Sequence, residues 1–279
     1  MKIYPAEVYN QSSERMPQVP SQSVDLVITS PPYNVGVDYA GYNDLQLTQL
    51  YVNMLSSSLS ECYRVLRPGG RICINVANLE RKPYRPLVNL LEALLVSHRF
   101  ILKGEIIWHK WDNANSTAWG SWLSASSPAL RDTHEYILVG AKGTDPLVKP
   151  IGGEMTLERE EFIKWTNSVW KIRPASRPDH PAIFPREIPE RLIKLLTWTH
   201  STVLDPFAGS GTTLVTAREL GRKAIGYELS EEYFSLIKSR VSSGVQSSLE
   251  GFWESYFSDT DVATKETTEN ENTHKTEKH

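Results

Sequence analysis

The sequence predicts an α/β protein built on a doubly wound sheet. Three observations carry that expectation. Short apolar runs alternate with longer segments of helical period. The runs end at breakers, Ser30-Pro31-Pro32 after one and Asp205-Pro206 after another. A glycine-rich turn, Gly209-Ser210-Gly211, joins one run to the helix that follows, which is how open α/β sheets present backbone to a ligand.

The elements follow in order. Val24 to Thr29 reads as a strand closed by the diproline turn. Over 44–66, Leu47, Leu50, Tyr51, Met54, Leu55, Leu59, Cys62, Tyr63 and Leu66 form a helical stripe that stops at Pro68-Gly69-Gly70. Arg71 to Val76 reads as a buried strand, 84–98 as a helix, and Glu105–Trp108 and His134–Val139 as two further strands. Residues 112–131 and 142–178 have no clear period and read as surface loops or an inserted subdomain. Helix returns over 187–199. A strand at Thr202–Leu204 then leads into the glycine turn, followed by a helix over 212–220, a strand at Lys223–Tyr227 and a helix over 231–242.

Composition narrows the class. Two cysteines, Cys62 and Cys73, exclude a disulfide framework and a thiolate zinc site and fit a reducing, cytoplasmic setting. The histidines have no metal-ligand spacing, so no metal is expected. The first residues lack the apolar run of a signal peptide, and no stretch reaches 18 uninterrupted apolar residues, so no membrane partner is expected. The net charge of −3 resides in residues 258–279, which hold six acids and three bases and read as a polar, disordered tail. Residues 1–257 carry 27 charges of each sign, and such a balance can still concentrate bases on one face.

Two motifs carry chemistry. Asp205-Pro206-Phe207-Ala208-Gly209-Ser210-Gly211-Thr212 lacks the lysine of a phosphate-binding P-loop and the third glycine of a dinucleotide fingerprint. An acid at the strand end suits a cationic ligand, with Asp205 toward an ammonium group. Glu228, ending the next strand 17 residues after Gly211, can accept ribose hydroxyls. Together they point to S-adenosyl-L-methionine. The second motif, Ser30-Pro31-Pro32-Tyr33, combines a strand end, two residues without backbone N–H, a hydroxyl and an aromatic face. Alone it is an ordinary turn. Beside the first motif it suits an exocyclic amine and a base taken out of a duplex.

Taken together, the two motifs resemble the beta group of amino-methylating DNA methyltransferases, in which the catalytic motif precedes the cofactor motif. Glu61 to Gly70, Glu105 to Lys110, His134 to Val139 and His180 to Pro185 are similar to later segments of that family. The resemblance spans roughly residues 23–240. It implies a Rossmann-like S-adenosyl-L-methionine-dependent methyltransferase fold of circularly permuted motif order, with a catalytic domain over 1–257 and a target-recognition insert near 112–178. It implies catalytic roles for Ser30, Pro31, Pro32 and Tyr33, and cofactor contacts from Asp205, Phe207, Gly209, Gly211, Thr212, Glu228 and Phe184.

In the family it resembles, the motif often reads Asp-Pro-Pro-Tyr in adenine-N6 enzymes and Ser-Pro-Pro-Tyr in cytosine-N4 enzymes, so the resemblance, through Ser30, implies cytosine N4 over adenine N6. Methylation at a ring carbon needs a thiolate, and both cysteines read as small core residues. Direct in-line transfer is expected, with the Ser30 oxygen and the Pro31 carbonyl accepting the amine protons and Tyr33 stacked on the base. Double-stranded DNA is the expected partner. Arg81, Lys82, Arg131, Lys171, Arg173 and Arg177 are candidates for DNA contact, all but Arg131 in clusters suited to phosphates, and Asn113, Asn115, Arg131, Lys149, Arg159 and Lys164 are candidates for base edges. The resemblance further implies work beside a restriction endonuclease; a monomer or a homodimer is expected. Alternatives are the adenine enzyme, a methyltransferase acting on RNA or a protein amide, a DNA-binding relic without turnover, and a P-loop-like nucleotide binder, which the missing lysine disfavours.

Overall fold

A computed structural model describes residues 5–34, 38–39, 42–43, 48–79, 84–110, 120–128, 130, 132–175 and 185–242. The apolar runs become strands of one eight-stranded sheet within the compact unit Met1–Ile237. Of the second unit, Lys238–His279, residues 238–242 are described, and they are helical.

In chain order the sheet strands are β1 (Ala6–Tyr9), β2 (Val24–Thr29), β5 (Leu66–Val76), β6 (Phe100–His109), β7 (His134–Lys142), β8 (Val169–Lys171), β9 (Thr202–Asp205) and β10 (Lys223–Tyr227). A two-residue hairpin, β3 (Asp38–Tyr39) with β4 (Tyr42–Asn43), stands apart from them. The helices are α1 (Thr48–Val65), α2 (Leu87–Ser97), α3 (Arg159–Trp165), α4 (Glu187–Leu196), α5 (Thr212–Glu219) and α6 (Glu231–Ser242). Across the sheet the order is β1-β10-β9-β2-β5-β7-β6-β8. Every neighbour pair is parallel except the two made by β7, which runs against both β5 and β6.

That order has one reversal point. From β2 the chain moves through α1 to β5 on one side, and from β9 it moves through α5 to β10 on the other. β2 and β9 lie side by side, so the ends of both motif strands open into the same crevice, where doubly wound sheets hold ligands. β2 is buried along its whole length, as an apolar run between two layers of helices must be.

Three elements differ from the sequence reading. Helix α1 ends at Val65 and passes straight into β5, so Pro68-Gly69-Gly70 is the irregular start of the strand and not a turn before it. The pairing of β2 with β5 slips between Val24 and Leu26, and Pro68 lacks an N–H to donate there. Gly69 holds φ +78°, and a Cβ on it would stand 2.7 Å from both the Asp145 oxygen and the Leu147 nitrogen. Gly69→Ala is therefore expected to cost about 2–4 kcal/mol, because left-handed strain and a backbone clash coincide; urea unfolding checks it. Secondly, β1 is a short, half-exposed edge strand beside β10 with no apolar run to announce it.

Thirdly, part of the stretch without period is built onto the sheet. Within 142–178, α3 starts on the capping box of Glu158 and Glu161, and β8 pairs with the end of β6. Arg191 of α4 lies between the rings of Trp165 and Trp170, at 5.6 and 5.1 Å, and Lys194 of the same helix pairs with Glu161. Trp170 is buried, and the Trp108 indole donates to the Ile172 carbonyl at 3.0 Å. Short elements anchored by side-chain contacts carry little periodic signal. Residues 258–279 lie outside the described residues.

Candidate active site

Where β2 and β9 end, the two motifs are fastened together. The Thr29 hydroxyl donates to the Asp205 carboxylate at 2.8 Å, and the same oxygen accepts the Phe207 N–H at 3.1 Å. One buried carboxylate thus holds the last residue before Ser30 and the first turn of the glycine loop. Burial pushes the Asp205 carboxyl up to about 6, against the hydrogen bond from Thr29 that favours its charged form. The sequence reading aimed Asp205 at a ligand. In the structure it stands behind the wall formed by Pro206, Phe207 and Ala208, and does not itself line the cavity.

The glycine loop then turns back across the end of β10. Ala208 N–H donates to the Tyr227 carbonyl at 2.9 Å, and Gly211 N–H to the Ala208 carbonyl at 2.8 Å. Gly209 at φ +52° and Gly211 at φ +79° take conformations that side chains resist. A Cβ on Gly209 would meet nothing within 4 Å, whereas one on Gly211 would press on Ile237 at 3.0 Å. The two glycines differ in use: Gly209 leaves open space, and Gly211 lets α5 and α6 approach.

Glu228 closes this side. Its carboxylate accepts the Gly209 N–H at 2.7 Å and the Ser230 N–H at 2.9 Å while remaining on the cavity wall. Burial is the main reason its carboxyl titrates above the usual range, opposed by those two N–H groups and reinforced by the charge of Asp205. Each oxygen has a second acceptor site for a hydroxyl pair.

Opposite lies Ser30-Pro31-Pro32-Tyr33. The Tyr51 hydroxyl of α1 donates to the Pro32 carbonyl at 2.9 Å, and Arg85 donates to the Asn34 carbonyl at 2.9 Å just after the motif. The Ser30 and Tyr33 hydroxyls stand 3.4 Å apart. Between the motifs is a cavity of about 550 Å³, within the range that takes a nucleoside-sized ligand. Its wall includes Ser30, Pro31, Pro32, Tyr33, Phe207, Gly209, Thr212 and Glu228, so eight of the residues singled out in the sequence are brought together. The sequence reading missed the contributions of Ser13 and Glu14, and of Leu50, Asn53 and Met54 on α1. Leu50 and Met54 belong to the apolar stripe and read as core, yet Leu50 is 55 % exposed.

Other assignments fall further away. Lys171 and Arg173 are exposed beside β8, at the same end of the sheet, since Lys171 is paired with His109 and His109 with His134. Lys149, Arg159 and Lys164 are exposed as well. Arg81, Lys82, Asn113, Asn115, Arg131, Arg177 and Phe184 lie outside the described residues. Cys62 and Cys73 are buried core thiols, and burial raises both, Cys73 to about 12. No group of three or more His, Cys, Asp or Glu could hold a metal ion among the described residues, and no helix among them is long and apolar enough to cross a membrane.

A doubly wound sheet with an acid-flanked glycine loop beside a diproline turn defines an α/β fold whose crevice is sized for a nucleoside-like ligand. The chain belongs to the DNA methylase family that comprises N6 and N4 enzymes, whose model matches residues 24–239. It is 30% identical over 275 residues to type II methyltransferase M.MjaI of Methanocaldococcus jannaschii, covering 82% of this chain and 88% of that one. It is 28% identical over 243 residues to the DNA adenine methyltransferase YhdJ of Escherichia coli, covering 82% and 80%. Among solved structures, TTHA0409 of Thermus thermophilus, complexed with S-adenosyl-L-methionine, superposes with a TM-score of 0.69 at 28% identity, over 88% of this chain and 96% of that one.

Proposed function

We propose that the protein transfers a methyl group from S-adenosyl-L-methionine to the exocyclic N4 amine of cytosine in double-stranded DNA, as the modification enzyme of a restriction-modification system. Membership of the DNA methylase family supports the reaction class. The single observation that carries the choice of amine is Ser30 on the cavity wall, beside Tyr33 and facing the glycine loop.

The cavity suits the cofactor. Gly209 leaves room at the turn, Glu228 offers lone pairs to a ribose, and Phe207 lines the wall between the motifs. When bound, S-adenosyl-L-methionine supplies an electrophilic methyl group on a positive sulfur. The rest falls to this chain's own side chains. The Pro31 carbonyl and the Ser30 oxygen accept the two amine protons, holding the nitrogen with its lone pair toward the methyl. The Pro32 carbonyl already accepts from the Tyr51 hydroxyl, which fixes the turn that carries Pro31. Tyr33 supplies a stacking face for the extruded base. Asp205 keeps both turns in register from behind and adds negative potential toward a cationic ligand. Lys171 and Arg173 are assigned to phosphates, with Arg81, Lys82 and Arg177 as further candidates there and Arg131 as a further candidate for DNA contact.

Adenine N6 is the second reading, favoured by the likeness to YhdJ. Incubation with methyl-labelled S-adenosyl-L-methionine and mixed-sequence duplex DNA, followed by digestion to nucleosides, separates the two. Label in N4-methylcytosine is expected; label in N6-methyladenine overturns the choice of base and keeps the reaction.

A further inference from the structure

Behind Tyr33 lies a buried charge that the mechanism above does not use. Glu135, near the start of β7, is only 8 % exposed. Lys110 pairs with one of its carboxylate oxygens at 2.5 Å, and the Lys110 ammonium lies 5.3 Å from the Trp108 ring centroid. The other oxygen accepts from the Asn75 amide nitrogen at 2.6 Å and from the Tyr33 hydroxyl at 3.4 Å. From Tyr33 the row continues to the Ser30 hydroxyl, again at 3.4 Å. Both hydroxyl contacts are long, as catalytic hydrogen bonds often are before substrate binds.

We propose that Glu135 is a positioning residue that sets the direction of this hydrogen-bond row and thereby makes Ser30 an acceptor toward the target amine. This rests on the function proposed above. A carboxylate only accepts, so the Tyr33 proton points to Glu135. The lone pairs of Tyr33 then receive the Ser30 proton. With its own proton committed, Ser30 turns its lone pairs to the cavity, where the amine presents N–H groups. A serine left to itself can point its proton either way. Catalysis needs one orientation, and a buried anion two hydroxyls away imposes it.

Lys110 and Asn75 make the direction testable. In Glu135→Gln, the ammonium of Lys110 requires the amide oxygen on its own side, which places the amide NH₂ toward Asn75 and Tyr33. Asn75 accepts this by turning its amide over, which costs no existing bond of its side-chain oxygen, since that buried oxygen has no hydrogen-bond partner. The NH₂ then donates to the Tyr33 hydroxyl, the Tyr33 proton turns to Ser30, and the Ser30 proton turns to the amine. Donor faces donor, with the shape of the site nearly unchanged.

Steady-state methylation is measured for wild type, Glu135→Gln, Tyr33→Phe and the double variant, with thermal unfolding of each. Expected is a fall in kcat of at least tenfold for Glu135→Gln at a cofactor KM within twofold. Tyr33→Phe, which cuts the row but keeps the ring, falls less. Adding Glu135→Gln to Tyr33→Phe costs no more than a further twofold. A kcat within twofold of wild type, or an equal loss with and without the Tyr33 hydroxyl, overturns the proposal. If Glu135→Gln does not fold, Tyr33→Phe decides alone: a severalfold lower kcat at unchanged cofactor KM supports the row, and an unchanged kcat overturns it. Separately, in protein carrying ¹³C-tyrosine, the Tyr33 ζ-carbon resonance, identified by its loss in Tyr33→Phe, should move in Glu135→Gln. If wild type labels no DNA base, the proposed function fails, and this resonance decides the row: movement supports it and constancy overturns it.

Discussion

Asp205→Asn is expected to weaken S-adenosyl-L-methionine binding at least tenfold at pH 7.5 while leaving the protein folded. Asparagine keeps an oxygen for the Thr29 hydroxyl and the Phe207 N–H, so both turns stay fastened. What disappears is the charge. A ligand bearing a positive sulfur and an ammonium loses the field of a buried carboxylate behind the cavity wall, where low polarisability makes that field strong. The variant should also be more stable than wild type above neutral pH. The carboxyl rises from 3.8 to about 6 on folding, so its proton is held more tightly in the folded chain. Its contribution is full below pH 3.8 and is lost as pH rises through about 6, a swing of about 3 kcal/mol that Asp205→Asn should remove. Cofactor affinity of wild type should in turn tighten between about pH 5 and 7, because the cation favours the ionised form. Isothermal titration across that range, with urea unfolding at matched pH, checks both; an affinity within twofold of wild type removes Asp205 from the cofactor's field.

Asp205 also marks where a sequence stops being informative. The glycine loop and the diproline turn are legible because each imposes a local backbone rule: positive φ at Gly209 and Gly211, and missing N–H groups at Pro31 and Pro32. Alternation of apolar runs and helical stripes is legible for the same reason, since period is local. The Thr29–Asp205 bond joins residues 176 apart, and only the switch in strand order brings them together. Residue type and spacing led to an acid facing the ligand. Packing turned that acid inward, to the Phe207 N–H two residues on, a local pairing, and to the Thr29 hydroxyl, which spacing along the chain does not pair with it. Glu135 was legible only as one residue of a strand, because its importance lies in Lys110, Asn75 and Tyr33, which reach it from the end of β6, from β5 and from the β2 turn. Leu50 shows the converse: a helical stripe identifies apolar positions but not which of them face a cavity.

Ser30→Ala is expected to lower kcat by about 10²–10³ with cofactor affinity within twofold, the loss typical of one preorganised polar group at a reacting centre. The hydroxyl lies on the cavity wall, and its hydrogen-bond neighbour is Tyr33, not the glycine loop, so its removal leaves the cofactor side untouched. Stability should change little, because one hydroxyl at a long 3.4 Å contact holds no other element in place. The defect should appear in the chemical step. An amine nitrogen conjugated with its ring is a poor nucleophile, and it becomes a better one only while both protons are held out of the ring plane. With one acceptor gone, the Pro31 carbonyl restrains a single proton and the nitrogen relaxes toward planarity. Single-turnover methylation with enzyme in excess isolates that step from product release. A loss confined to the single-turnover rate assigns Ser30 to the amine; a comparable loss in cofactor affinity assigns it to the other side of the cavity.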